Sequence, residues 1–156
     1  MMDLYISFLK SNKDIPTSYE IKMAIRYAIA ATLTHQDFPY DADVSVTLCD
    51  NEYIHALNNK YRGVDRHTDV LSFPLYDGEF PENECSLGAS LGDIVISLER
   101  AEEQAKEVGN SLLREVAFLT VHSTLHLLGF DHELGEEHEE AQCEAQREIM
   151  QMLDIE

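Results

Sequence analysis

A chain of 156 residues suffices for one domain with a real core and is too short for several. Thirty Asp and Glu against eleven Lys and Arg give a formal net charge of -19, which opposes non-specific contact with nucleic acid or anionic membrane. Cys49, Cys85 and Cys143 are odd in number and never spaced C-x-x-C, which excludes a disulfide framework or a four-cysteine zinc site and fits reduced thiols in the cytoplasm.

The N-terminal "MMDLYISFLK" has no basic region ahead of an apolar one, so it reads as a first strand with Leu4, Ile6 and Phe8 alternating, not as a signal peptide. "PTSYEIKMAIRYAIAATL" predicts a helix, with Thr17 and Glu20 as a capping box and Ile21, Ile25, Ala28, Ile29 and Leu33 at helical spacing. "DVSVTLCD" (43–50) is the second strand, and Asp50 or Asn51 caps a short helix over "EYIHALNNKY". "DVLSF" forms a third strand ending near Pro74, and "GDIVIS" a fourth. Between them, 74–91 is rich in Gly, Pro and acids and reads as a disordered or substrate-side loop, not a packed element. Ser97 caps a helix over 98–108 that ends at Gly109. A strongly apolar helix follows and stops at Gly129, and 136–153 is an acidic, amphipathic last helix. No run reaches the length of a membrane span. Four strands and about five helices, largely segregated along the chain, predict one α+β domain over 1–156, with a mixed four-stranded sheet.

"VHSTLHLLGFDH" (121–132) holds the chemistry. His122 and His126, four apart, lie on one helix face, where their imidazoles converge on one ion at a Zn–N distance of about 2.0–2.1 Å. Gly129 ends the helix and lets the chain fold back, bringing His132 in as a third ligand. Three histidines leave the fourth tetrahedral position to water, as in catalytic and not structural zinc sites. Offsets of 0, 4 and 10, with Gly at 7, equal those of the metzincin proteases, whose general base is the Glu after the first His. That position is Ser123 here, and a hydroxyl of ordinary pKa cannot take a proton from metal-bound water near neutral pH. The protease reading therefore has its ligands and lacks its base. Asp131, beside His132, is either an orienting partner for a ligand imidazole, a substitute base, or a turn residue after Gly-Phe.

"HSTLHLLGFDH", "LNNKYRGVDRHTDVLSFP" (57–74) and "GDIVIS" (92–97), in that arrangement along the chain, resemble the YbeY family of bacterial rRNA maturation factors. The resemblance implies a zincin-like fold and a single zinc ion held by His122, His126 and His132. It implies a cytoplasmic, single-strand-specific metallo-endoribonuclease that matures the 3′ end of 16S rRNA, takes part in small-subunit quality control, and partners the small ribosomal subunit and its assembly factors. Two other functions stay open on the residues alone: a ribosome-assembly factor with a non-catalytic metal, and a metallohydrolase of another substrate.

Lys60, Arg62 and Arg66 concentrate three of the eleven cations in seven residues, so RNA is expected to approach over this segment. Arg62 falls in the family's Asn-x-x-Tyr-Arg pattern and is assigned to a phosphate and to transition-state charge. Asp93, in the family's Gly-Asp-Ile, orients Arg62 or a ligand histidine, or else caps a strand start. The acidic tail repels RNA from its own side.

Overall fold

The structure is a computed structural model that describes residues 3–130 and 135–156. The elements run β1 (Leu4–Lys10), α1 (Tyr19–His35), β2 (Ala42–Cys49), α2 (Asn51–Arg62), β3 (Val70–Pro74), α3 (Glu82–Cys85), β4 (Ala89–Ser97), α4 (Leu98–Val108), α5 (Leu112–Leu127) and α6 (Glu136–Leu153). The sheet has the order β1-β2-β4-β3, with the first three strands parallel and β3 antiparallel at an edge. This is the expected α+β architecture with a mixed four-stranded sheet, and the described residues add a sixth, one-turn helix, α3.

Strand alternation decides what each sheet face covers. Leu4, Ile6 and Phe8, then Val44, Val46 and Leu48, then Ile94 and Ile96 point to one face and meet Ile25 and Ile29 of α1 and Val116, Leu119 and Leu127 of α5. Among the described residues the other face is packed near β3, where Leu71, Phe73 and Val95 meet Ile54 and Leu57 of α2. A third cluster joins Ala28 of α1, Ala117, Val121 and Leu125 of α5, and Ala145, Ile149 and Met150 of α6. Thus α5 is enclosed by the sheet on one side and by α1 and α6 on the other. Thr120 and Thr124, both fully buried in it, satisfy their hydroxyls by donating to the carbonyls of Val116 and Thr120, each at 2.7 Å.

Three expectations are corrected. The cap of α1 is Ser18, whose Oγ accepts from the Ile21 amide at 3.2 Å; Thr17 instead donates to the Ile15 carbonyl. β4 starts at Ala89 and not Gly92, because a bulge at Asp43/Val44 lets Ala42 pair with Ala89. The 74–91 segment is packed: Tyr76 and Phe80 rest on the main core, Phe80 stands edge-on to Phe38 at 5.1 Å, and Cys85 is fully buried. Within β4, Gly92 has φ +136°, and a Cβ there would lie 2.2 Å from the Phe73 carbonyl oxygen, so the β3–β4 pairing requires glycine. Among the described residues no helix is long and apolar enough to cross a membrane.

Candidate metal centre on α5

Every residue of α5 from Glu115 to Leu127 is buried except Phe118, His122 and His126. These three are four apart, so an otherwise enclosed helix keeps one stripe open. The His122 and His126 ring centroids are 4.8 Å apart at an interplanar angle of 62°. His132 and Asp131 lie outside the described residues. Among the described residues no third His, Cys, Asp or Glu joins the pair in a group able to hold a metal.

The pair is set from α6. Gln146 donates from Nε2 to the Phe118 carbonyl at 2.8 Å, which turns its Oε1 toward His122 Nδ1 at 3.3 Å. The Gln142 amide nitrogen is also 3.3 Å from Nδ1. Nδ1 can donate to Gln146 or accept from Gln142, not both. The second hydrogen bond of Gln146 fixes its orientation, so the first arrangement holds and the ring's lone pair falls on Nε2. Both glutamines are buried, at 3% and 6% exposure. The sequence reading missed them; the available signal was two amides four apart, in phase with Ala145 and Ile149.

Ser123, where metzincins carry their base, is fully buried and faces β3, its Oγ 2.5 Å from Ser72 Oγ. Its burial against the strand adds to the chemical argument against a base at this position. On the outer side of the same edge strand, Arg62 Nη2 donates to the Ser72 carbonyl at 2.8 Å and the guanidinium carbon lies 5.9 Å from the Phe73 ring centroid. Arg62 is exposed and anchored through its position at the end of α2, where Gly63 (φ 68°) closes the helix. Lys60 and Arg66 are exposed beside it, Lys60 over the Tyr61 ring at 5.1 Å.

Asp93 is separated from the histidines. It pairs with Phe73 and alternates with Ile94, so it points to the α2 side of the sheet while Ser72, Ile94 and α5 occupy the other. Asp69 accepts from Thr68, from the Val70 amide and from Gln104, a strand-start role. Beyond β3, the chain crosses the end of α5: Gly129 has φ +106°, and a Cβ there would lie 2.6 Å from Gly78 Cα. The 74–91 segment therefore braces the turn that follows the histidine helix. Two further groups complete the electrostatics. Glu115, two turns before His122 on the same side of α5, has its carboxyl pKa raised by burial and by Asp69, against a hydrogen bond from Asn110. Burial pushes the Cys49 thiol up to about 12, which makes it inert as nucleophile or ligand near neutral pH.

The family model described as Endoribonuclease YbeY matches residues 6–154. A curated Endoribonuclease YbeY of Clostridioides difficile is 43% identical over 154 residues, covering 99% of this chain and 98% of that one. Its counterpart in Agathobacter rectalis is 41% identical, covering 95% and 97%. The solution structure of TM1509 from Thermotoga maritima superposes with a TM-score of 0.62 at 28% identity, over 93% of this chain and 86% of that one.

Proposed function

The chain belongs to the Endoribonuclease YbeY family, and on that premise we propose that residues 1–156 act as one metal-dependent endoribonuclease domain that cuts single-stranded RNA. The observation that supports it most is the open stripe on the enclosed helix α5, with two imidazoles 4.8 Å apart at its centre. Our proposal for the finer biology is a cytoplasmic enzyme maturing the 3′ end of 16S rRNA, working with the small ribosomal subunit and its assembly factors.

The donor set suits a borderline-soft ion: neutral imidazoles, one held by Nδ1 so that its Nε2 carries the lone pair. We assign His122, His126 and His132 as ligands and zinc as the single ion. When bound, zinc supplies Lewis acidity toward a phosphodiester oxygen. The chain's own residues do the rest. Gln146 orients the His122 ring, and Ser72 and Ser123 lock the helix to β3. Arg62, held at the strand edge, meets an incoming phosphate with the fork of donors its single bond to Ser72 does not use. Asp131 is proposed to orient a ligand imidazole or to serve as the substitute base. Asp93, on the α2 face of the sheet with Phe73 and Arg62, is proposed to orient Arg62 and not a ligand histidine.

Metal analysis paired with cleavage assays tests this reading. Wild type is expected to bind about one zinc and to cut single-stranded RNA in preference to duplex and to peptides. The His122→Ala/His126→Ala variant should fold, lose the ion and lose at least about 10²-fold in rate. Arg62→Ala should keep the ion and lose about 10–100-fold in kcat/KM. A metal-free double variant with wild-type cleavage sinks the assignment.

A further inference from the structure

Phe118 completes the open stripe of α5, and nothing assigned so far uses it. The residue is 42% exposed, while Ala117 and Leu119 on either side are buried. It precedes His122 by four residues, so the two side chains stand about 6 Å apart along the helix on the same face. The carbonyl of Phe118 accepts from the same Gln146 amide that orients His122. One buried glutamine thus bonds both the helix backbone at Phe118 and the His122 ring. A large ring left open beside a candidate catalytic centre, on a stretch of helix that buries every residue except this one and the two histidines, offers a π-face to substrate.

Building on the endoribonuclease reading, we propose that Phe118 is a base-stacking platform that takes an unpaired nucleobase adjacent to the scissile phosphate. An aromatic face accepts any base, so the contact carries no sequence preference. It is closed to a base already stacked inside a duplex, so it contributes to single-strand preference.

The test is steady-state cleavage of a single-stranded RNA, and of the same site within a duplex, by full-length wild type and three variants. Phe118→Ala and Phe118→Leu should raise KM for the single strand about tenfold, within the range produced by losing one base–aromatic stack, with the loss confined to KM and zinc content unchanged. Phe118→Trp should restore wild-type KM or lower it. An abasic substrate lacking the flanking base should cost wild type the same factor and cost Phe118→Ala nothing more, because both changes delete one contact. A Leu variant equal to wild type overturns the proposal, as do abasic and Ala losses that multiply, or a fall in kcat with KM unmoved. Wild type failing to cleave RNA at all would instead overturn the function on which this rests.

Discussion

Helices α5 and α6 pack against each other and are of similar length, sixteen and eighteen residues, yet they solve opposite problems. α5 is enclosed, so its exceptions are the residues left open: Phe118, His122 and His126. α6 is open along most of its surface, and its exceptions are the polar residues driven inside: Gln142 and Gln146. The two sets of exceptions meet at His122 Nδ1. The exceptions in each helix are the side chains that depart from its general environment, which gives each helix a distinct response to substitution.

The largest effect is expected in the enclosed part of α5. Leu125 is fully buried between α1 and α6, and Leu125→Ala should cost about 2–5 kcal/mol, lowering Tm by roughly 5–15 °C. On the open stripe, His126→Ala should move the Tm of metal-free protein by less than about 2 °C while abolishing zinc binding. Thermal melts of both variants with and without chelator decide the matter. If the two losses were of similar size in metal-free protein, the stripe would be part of the packing and the contrast between exposed and enclosed residues would fail.

The next effect reads the link between the helices. Gln146→Leu keeps the volume, deletes the acceptor for His122 Nδ1 and removes the side-chain donor to the Phe118 carbonyl. Loss of such an orienting partner costs about 10–100-fold in metal affinity. A competition titration against a chromophoric chelator measures it. Gln142→Leu should cost less, since its amide does not fix the His122 proton. Equal losses would show that the two amides share the role.

Much of this was readable beforehand, and the unread part has a physical cause. The spacing of His122 and His126, the apolar periodicity of α5 and the alternation in β1 and β2 are local signals, and each survives in the fold. Gln142 and Gln146 carry no such signal: an amide on an acidic helix looks solvated until the register of α6 on α5 is known. The side of Asp93 was equally hidden, because "DIVIS" is apolar on both faces and strand alternation alone does not say which face meets α5. Glycines and acids in 74–91 suggested a loose loop, yet Tyr76, Phe80 and Cys85 pack it, and its backbone at Gly78 passes so close to the end of α5 that position 129 must be glycine.

The smallest expected effect lies at the other end of α5, where an ionisable group departs from an apolar setting with no known ligand to serve. Glu115 is 7% exposed, and its carboxyl pKa is raised from 4.5 by burial first and then by Asp69. A carboxyl raised in the folded state is disfavoured as an anion there. Below the unfolded value it is protonated in both states and carries no penalty. As pH rises through about 4.5 toward the folded pKa the penalty accumulates, and above that it is constant. Glu115→Gln removes it, so the variant should melt about 1–3 °C above wild type at pH 8, with the gap closing below about pH 4. The opposing term is the position of Glu115 in the first turn of α5, where a negative charge is favoured by the helix N-terminus. A variant that melts below wild type at pH 8 would show that this term prevails, and that Glu115 is kept as an anion to anchor the start of the histidine helix.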